Sequence, residues 1–208
     1  MQSAPILYYV YDPMCSWCWG YQPVWRQVKQ QLSGTVSVQY VVGGLAPDSD
    51  EPMPMAMREQ IASYWRKIEN LLGTPFNYVF WTSNTPRRST YPACRAALAA
   101  RKQDAEWVMI NAIQRAYYLE AKNPSDDEVL LALANQVGLD MTRFEEDYRS
   151  AQLNQSLLDE IRFSRQIGAN GFPSLVLRIE DHVYPIAVDY RDAHNTVTLV
   201  RSVLEGQS

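Results

Sequence analysis

Cysteine and histidine are scarce in this sequence, with three cysteines and two histidines among 208 residues. Three cysteines cannot supply the dense disulfide framework of a small secreted protein. Cys15 and Cys18 have the CxxC spacing of half a zinc site, but a second such pair is missing. The other candidate ligands are scattered without ligand spacing, at Cys94, His182 and His194. We therefore predict no metal site.

Long hydrophobic runs and runs of basic residues are missing as well. No apolar stretch approaches the roughly 18–20 residues of a transmembrane helix. The net charge is −4 and no cluster of Lys or Arg forms a basic stripe, which disfavours nucleic-acid binding. The segment Met1–Pro5 has neither a basic region nor a small-residue cleavage site, so no signal peptide is predicted. We expect a cytoplasmic protein that binds neither membranes nor nucleic acid.

The N-terminal part has the pattern of a β–α–β unit. The dense apolar run Ile6–Tyr11 predicts a buried strand. From about Cys18 to Leu32 apolar residues recur at helical spacing, and the alternation from Thr35 to Val42 predicts a second strand. Because such crossovers are right-handed and join strands of one sheet, we expect the two strands to be parallel neighbours.

Residues 49–167 have helical periodicity. Capping boxes are predicted at two of the helix starts, Ser125 with Glu128 and Thr142 with Glu145. The predicted helices are Met55–Leu72, Tyr91–Lys102, Ala105–Ala121, Asp126–Val137, Thr142–Arg149 and Gln152–Ile167.

The C-terminal part predicts a β–β–α unit. After a break at Gly168–Pro173, the strands Ser174–Ile179 and Val183–Val188 form a predicted hairpin, and Asp192–Leu204 is a predicted helix. We therefore expect an α/β domain made of residues 1–48 and 168–208, with an all-helical domain, residues 49–167, inserted between its halves.

The pair Cys15 and Cys18 lies between the first strand and the helix that follows it. This position places the first sulfur over free backbone N–H groups at a helix N-terminus, where the helix dipole favours negative charge. Since the thiolate is the nucleophile, Cys15 is predicted to attack disulfides. Cys18, one turn further on, is predicted to resolve the resulting mixed disulfide. Two helical cysteines that only pack are the less favoured alternative.

Three neighbouring residues allow more than one interpretation. Asp12 is close enough to relay protons, but a residue that satisfies N–H groups at the end of the strand is favoured. Trp17 is interpreted as an exposed platform for substrate. Cys94 is interpreted as a small buried hydrophobic residue, with a redox role as the alternative.

Two motifs and the order of elements resemble a known family. The strand–CxxC–helix opening, the long helical insertion and Gly171–Ser174 before the hairpin together resemble the DsbA-like branch of the thioredoxin superfamily. Within it, the chain is most similar to the cytoplasmic FrnE-like and predicted protein-disulfide isomerase members. The resemblance extends over nearly the whole chain and implies a thioredoxin-like α/β fold with a large helical insertion.

The resemblance also implies roles for individual residues. Cys15 matches the nucleophile and Cys18 the resolving cysteine. Pro173 matches the cis-proline that lies against the active-site disulfide. With that geometry the backbone of Phe172 is expected to pair with an extended substrate segment beside Cys15.

The sequence departs from the family at two places. Ser16 and Trp17, which we predict to contact substrate, replace the Pro-His pair of the strongly oxidising periplasmic members. Because a histidine there stabilises the reduced form, its absence predicts a milder, more reducing couple. Ala187–Tyr190 replaces a Gly-Ala-Gln-like stretch, so the far wall of the substrate groove is not predicted.

The favoured function is a thiol–disulfide oxidoreductase or isomerase that acts on proteins or peptides with disulfides or thiols. It needs no bound cofactor, and glutathione or a thioredoxin-type donor is the expected redox partner. A glutathione-dependent isomerase or transferase is an alternative, because kappa-class transferases and 2-hydroxychromene-2-carboxylate isomerases have a similar architecture. Those relatives have serine in place of the nucleophilic cysteine. A chaperone or interaction module is the third hypothesis. Monomer and homodimer both stay open.

Overall fold

The computed structural model describes residues 4–206. Residues 1–3 and 207–208, and with them most of the segment assessed for a signal peptide, lie outside the described range. In chain order the elements are β1 (Ile6–Tyr11), α1 (Ser16–Gln31), β2 (Ser37–Val42), α2 (Met55–Leu72), α3 (Phe80–Ser83), α4 (Tyr91–Arg101), α5 (Glu106–Tyr118), α6 (Asp127–Gln136), α7 (Met141–Tyr148), α8 (Ala151–Gln166), β3 (Ser174–Ile179), β4 (His182–Ile186) and α9 (Ala193–Glu205).

The strands form one four-stranded sheet in the order β2-β1-β3-β4. Strand β1 pairs in parallel with β2, with Tyr11 opposite Val42, as the β–α–β pattern predicted. It pairs antiparallel with β3, which forms the predicted hairpin with β4. The dense apolar sequence of β1 follows from this central position, because both faces of the strand are covered.

Both predicted capping boxes are wrong. Helix α6 begins after Asp126, and the hydroxyl of Ser125 instead donates to the carbonyl of Ser89 at 2.7 Å. Helix α7 begins after Asp140, whose side chain accepts the backbone N–H of Arg143 at 3.1 Å. In both helices an aspartate that precedes the first helical residue takes the N-cap position, but the side chain of Asp140 accepts an N–H of its helix whereas that of Asp126 does not.

Other element limits differ by a few residues. Helix α1 begins at Ser16 rather than Cys18, because Cys15 is its extended N-cap residue. Strand β4 covers His182–Ile186 and so begins and ends earlier than predicted. The short helix α3 was not predicted.

Aromatic side chains fill the interior beside the sheet and in the helical part. Tyr9 of β1 stacks on Trp25 of α1 with ring centroids 4.5 Å apart. Trp65 of α2, fully buried, contacts Phe76 at 5.0 Å and Tyr118 at 5.3 Å. These residues belong to one cluster of buried side chains that runs through the sheet and the inserted helices. The division into two domains stays a prediction.

A charged network ties the inserted helices to the sheet. Arg101 of α4 forms ion pairs with Glu106 of α5 and Glu160 of α8. The guanidinium also donates to the carbonyl of Tyr40 in β2 at 2.9 Å, and Glu160 accepts the N–H of Val42 at 2.9 Å. The insert is thereby fixed against the carboxyl-terminal end of β2. No helix within residues 4–206 is both long and apolar enough to cross a membrane.

Candidate active site

The two predicted active-site cysteines lie where β1 passes into α1. The N–H of Cys15 donates to the carbonyl of Asp12 at 3.0 Å, and the carbonyl of Cys15 accepts the N–H of Trp19 at 3.1 Å. Cys15 is 8% exposed and Cys18 is fully buried, and both are free thiols. Cys15, at the helix N-terminus, thus keeps a small exposed fraction, whereas Cys18 keeps none.

The surroundings give the two thiols opposite acidities. A hydrogen bond from the Cys18 thiol lowers the pKa of Cys15 below the ordinary value of a thiol, against the effect of burial, and the backbone N–H groups of Cys18 and Trp17 act in the same direction. Burial raises the pKa of Cys18 well above its ordinary value, and the neighbouring Cys15 raises it further. A lowered pKa is expected for an attacking cysteine, and a raised pKa for a resolving cysteine that stays protonated until the second step.

The loop before β3 closes the site from the other half of the chain. The peptide bond between Phe172 and Pro173 is cis, as the resemblance implied. The thiol of Cys15 donates to the carbonyl of Phe172, with 3.5 Å between sulfur and oxygen. Pro173 is buried and Phe172 half-buried. The structure thus brings Phe172 to Cys15, although 157 positions separate them in the sequence.

Gly43, directly after β2, makes room for this loop. A Cβ atom at Gly43 would lie 1.8 Å from Cε1 and 2.2 Å from Cζ of the Phe172 ring. Real carbon atoms do not approach so closely, since their contact distance is about 3.5–4.0 Å. The glycine is therefore required for the observed packing of Phe172.

Asp12 is fully buried directly behind the dithiol. Its carboxylate accepts the N–H of Met14 at 2.8 Å and that of Leu45 at 2.7 Å. It also accepts the hydroxyl of Thr90 at 2.7 Å and the thiol of Cys94 at 3.5 Å. Burial raises the pKa of the Asp12 carboxyl, and these four donors oppose that effect. Asp12 satisfies N–H groups near the strand end, as favoured, but the contacts with Leu45, with Thr90 directly before α4 and with Cys94 in α4 were not foreseen.

Cys94 is buried, in agreement with the sequence interpretation. Its thiol nevertheless has a polar role that this interpretation missed, because it donates to Asp12. Burial and the negative charge of Asp12 raise the pKa of Cys94 well above its ordinary value. Cys94 is therefore held as a neutral thiol.

The aromatic residues around the dithiol differ in exposure. Trp17 is half-buried and packs edge-on against Tyr190 with ring centroids 5.2 Å apart, so it is less exposed than predicted. Ser16 is buried at the start of α1. Trp19 is buried, and its indole N–H donates to the carbonyl of Pro75 at 3.1 Å. Tyr190 belongs to the stretch Ala187–Tyr190, where the sequence departs from the family, and the structure brings it into contact with Trp17.

Two buried tyrosines behind Cys18 were also missed. Burial, followed by the charges of Cys18 and Cys15, raises the pKa of Tyr9 well above its ordinary value, and a hydrogen bond with Cys18 acts in the same direction. Burial likewise raises the pKa of Tyr118. The hydroxyl of Tyr118 has no hydrogen-bond partner within residues 4–206. A general aromatic richness was the only sequence signal for them.

Within the described residues, no group of three or more His, Cys, Asp or Glu side chains is arranged to hold a metal ion. Cys94 instead pairs with Asp12. What the site offers chemically is a nucleophilic thiol, a second thiol one turn away, and a backbone carbonyl beside the first.

The fold and this arrangement define a family. The family model described as Thioredoxin matches residues 8–189, which is most of the chain. The chain therefore belongs to the thioredoxin family, and the predicted thioredoxin-like α/β fold with a helical insertion is confirmed.

Solved structures similar to this chain are disulfide oxidoreductases or candidates for that activity. A candidate protein disulfide isomerase from Nitrosomonas europaea is 30% identical with a TM-score of 0.87, over 99% of this chain and 100% of that one. The cytosolic disulfide reductase DsbM from Pseudomonas aeruginosa is 26% identical with a TM-score of 0.76, over 97% of this chain and 98% of that one. DsbM has also been solved with GSH.

Curated relatives carry a different name. The ClpXP adapter protein SpxH from Halalkalibacterium halodurans is 23% identical over 82% of this chain, and that from Bacillus subtilis is 23% identical over 85%. The chain spans only 57% and 59% of their respective lengths.

Proposed function

We propose that this protein is a cytoplasmic thiol–disulfide oxidoreductase in which Cys15 is the nucleophile and Cys18 the resolving thiol. The observation that carries the proposal is the position of the Cys15 sulfur. It lies at the N-terminus of α1, 3.5 Å from the carbonyl of Phe172, and its pKa is lowered chiefly by the hydrogen bond from the Cys18 thiol. The similarity to disulfide oxidoreductases supports this assignment.

The first step is attack on a substrate disulfide. The Cys15 thiolate forms a bond to one substrate sulfur, the substrate S–S bond breaks, and the other substrate sulfur leaves as a thiolate that takes up a proton. The product is a mixed disulfide between Cys15 and the substrate. The lowered pKa of Cys15 favours this step because it raises the fraction of thiolate at neutral pH.

The second step releases the substrate. Cys18 loses its proton and attacks the Cys15 sulfur, the mixed disulfide breaks, and the second substrate sulfur leaves as a thiol. In total, two electrons and two protons pass from the dithiol to the substrate. Two molecules of glutathione, or a dithiol donor of the thioredoxin type, then reduce the Cys15–Cys18 disulfide and are themselves oxidised.

The proposed substrates are proteins or peptides in an extended conformation. The backbone of Phe172 is the pairing partner for such a segment, and Pro173 fixes that backbone beside Cys15. Ser16 and the half-buried pair of Trp17 and Tyr190 contact the substrate on the other side of the dithiol. Aromatic side chains suit this task because they bury large area.

Net reduction is the proposed direction. The pair Ser16 and Trp17 contains no histidine that would stabilise the thiolate further, so the couple is expected to be milder than in strong oxidants. DsbM, which is similar over almost the whole chain, is named a cytosolic disulfide reductase.

An adapter role is a second candidate function, because the curated relatives are named ClpXP adapters. In that role the protein would bind another protein without exchanging disulfides. The limited identity and the 57–59% span of those relatives make it the weaker proposal.

The redox equilibrium of the dithiol separates these functions. The full chain is equilibrated in buffers of graded glutathione ratio, and the Cys15–Cys18 disulfide is followed by thiol labelling and peptide mass. We expect a clean two-electron transition, with a potential near the value of about −270 mV of thioredoxin. Cys15→Ser and Cys18→Ser, once circular dichroism has shown that each variant is folded, should never close a disulfide.

Other outcomes would replace the proposal. A potential above about −180 mV would indicate oxidation or isomerisation instead of reduction. A stable glutathione adduct on Cys15 that Cys18 does not resolve would favour a glutathione-dependent enzyme. A dithiol that never closes, together with binding of a partner protein that survives Cys15→Ser, would favour the adapter.

A further inference from the structure

The last residue of β2 is held by side chains of the inserted helices. Strand β2 lies at the edge of the sheet, so the backbone groups on its outer side need partners other than a strand. The N–H of Val42 donates to Oε2 of Glu160 in α8 at 2.9 Å, and the carbonyl of Tyr40 accepts the guanidinium of Arg101 at 2.9 Å. Arg101 and Glu160 are themselves an ion pair. Together the two side chains take the place of a neighbouring strand at this end of β2.

Two consecutive glycines follow Val42, and both are needed for close contacts. A Cβ atom at Gly43 would lie 1.8 Å from Cε1 of the Phe172 ring, and one at Gly44 would lie 2.4 Å from Cδ1 of Ile161. Glycine has the greatest conformational freedom of all residues. The pair would therefore be a soft support for Phe172 if the residues around it were not fixed.

Helix α8 supplies that fixation from more than one position. Glu160 and Ile161 are consecutive in α8, and they contact the residues directly before and after Gly43. Ile167, the C-cap residue of the same helix, belongs to a buried cluster against which Phe172 packs. One helix thus supports both the wall at Gly43 and the loop that packs on it.

We propose that Glu160 is a positioning residue for the backbone of Phe172, and that α8 thereby aligns an extended substrate segment with the Cys15 sulfur. The identity of the substrate rests on the proposed oxidoreductase function. The Glu160 carboxylate holds Val42, which directly precedes the wall at Gly43. The Phe172 ring packs on that wall, and the Phe172 carbonyl lies 3.5 Å from the Cys15 sulfur. A misplacement of about 1 Å can cost on the order of 100-fold in rate, so a partial loss of this support is measurable.

This role predicts a difference between two kinds of disulfide. Under the proposed function, a peptide disulfide pairs with the backbone of Phe172. Hydroxyethyl disulfide has no peptide backbone and needs only the Cys15 sulfur. Loss of Glu160 should therefore slow reduction of the peptide much more than reduction of the small disulfide, whereas a general weakening of the fold would slow both alike.

The test follows a single turnover of the reduced full chain. The reaction with an unstructured peptide that has one internal disulfide, or with hydroxyethyl disulfide, is stopped by acid and quantified by mass. Glu160→Leu removes the acceptor, and Glu160→Gln keeps an amide oxygen that can accept the N–H of Val42. Asp159→Ala is the matched control, because Asp159 precedes Glu160 in α8 and its side chain is 55% exposed. Arg101 can keep its ion pair with Glu106 in every variant.

We expect Glu160→Leu to lower the second-order rate constant at least about tenfold with the peptide and less than about threefold with hydroxyethyl disulfide. Glu160→Gln and Asp159→Ala should stay within about threefold of the wild type with both, as substitutions that leave the important contacts intact usually do. Phe172→Ala removes the ring that packs on Gly43. In that background Glu160→Leu should no longer change the ratio of the two rate constants.

Equal losses with both disulfides in Glu160→Leu would overturn the proposal, and so would a change of their ratio that persists in the Phe172→Ala background. If Glu160→Leu does not fold, judged by near-ultraviolet circular dichroism, Glu160→Asp replaces it, because it keeps the charge and shortens the side chain by one carbon. The peptide should then still be affected more than the small disulfide, and equal effects would refute the role.

A second measurement does not depend on disulfide exchange. Amide hydrogen exchange of residues 41–45 and 170–174 is followed by peptide mass. We expect faster exchange of both segments in Glu160→Leu and no change in Asp159→Ala, and unchanged exchange of residues 170–174 in Glu160→Leu would overturn the positioning of Phe172. A wild type that reduces neither disulfide would refute the oxidoreductase function alone, and the hydrogen exchange would still decide whether Glu160 positions Phe172.

Discussion

Replacing Gly43 with alanine should displace Phe172, whose carbonyl accepts the Cys15 thiol. The added methyl group would lie 1.8 Å and 2.2 Å from two carbons of the ring. Because non-bonded carbons settle at about 3.5–4.0 Å, the ring has to retreat by about 2 Å. The N–H of Gly43 donates to the carbonyl of Tyr11, and alanine retains this donor.

The expected magnitudes follow from that displacement. Overpacking of this kind costs about 1–3 kcal/mol of unfolding free energy. A shift of about 1 Å in a reacting group costs on the order of 100-fold in rate. The added methyl group displaces the ring of Phe172 directly, and the carbonyl of Phe172 moves only as a consequence. We therefore expect the rate of disulfide reduction to fall by roughly tenfold to 100-fold.

The assay pairs denaturant unfolding with reduction of a disulfide-containing protein such as insulin. Gly171→Ala is the matched control, because a Cβ atom at Gly171 meets nothing within 4 Å although the residue is next to Phe172. The control should match the wild type in both measurements. Wild-type stability and activity in Gly43→Ala would refute the reasoning, since Phe172 would then not depend on the space at Gly43.

Three further predictions concern the dithiol and the charged network of Arg101, Glu106 and Glu160. Cys18→Ser should accumulate a mixed disulfide with substrate, detected by intact mass, whereas Cys15→Ser should not. Equal amounts of adduct in both variants would contradict the assignment of Cys15 as the nucleophile. Alkylation of Cys15, whose pKa is lowered, should reach half its maximal rate at a pH below the ordinary thiol pKa of about 8.5, while Cys94, whose pKa is raised, stays unlabelled in the native protein. Labelling of both at the same pH would contradict this. Arg101→Ala should lower the unfolding free energy by about 2 kcal/mol, which is less than the 3–5 kcal/mol of fully buried pairs because the Arg101 side chain is 35% exposed. The control Arg162→Ala breaks an exposed ion pair and should change the unfolding free energy by less than about 0.5 kcal/mol. Equal losses in the two variants would show that the ion pairs of Arg101 do not stabilise the fold.

The sequence allowed accurate prediction of elements with one clear pattern. The limits of β1, α2 and β3 agree with the structure because each has an unbroken apolar period and a Pro or Gly at or near an end. The N-cap residue was predicted wrongly where several candidates precede a helix. Before α6, for example, Ser125 and Asp126 are both suitable N-cap residues. The choice between them depends on Ser89, which packs there only in the folded chain.

The candidate site was only partly predictable for the same reason. The spacing of Cys15 and Cys18 and their position between a strand and a helix indicated the dithiol, and the resemblance indicated Phe172 and Pro173. Nothing local indicated that Thr90 and Cys94 would reach Asp12, because 78 and 82 positions separate them and only the packing of α4 brings them together. The catalytic roles of Cys15, Cys18 and Pro173 and the substrate contact of Phe172 stay predictions.

The 157 positions between Cys15 and Phe172 also have a consequence for the newly made chain. A ribosome adds about 5–20 residues per second, so the Cys15 thiol is synthesised about 8–30 seconds before the carbonyl that accepts it. Asp12 is likewise synthesised before Leu45, Thr90 and Cys94, which donate hydrogen bonds to its carboxylate. The nascent chain therefore carries Cys15 and Cys18 before the loop that closes the site exists, and the Cys15 thiol gains its hydrogen bond to Phe172 only once that loop is made.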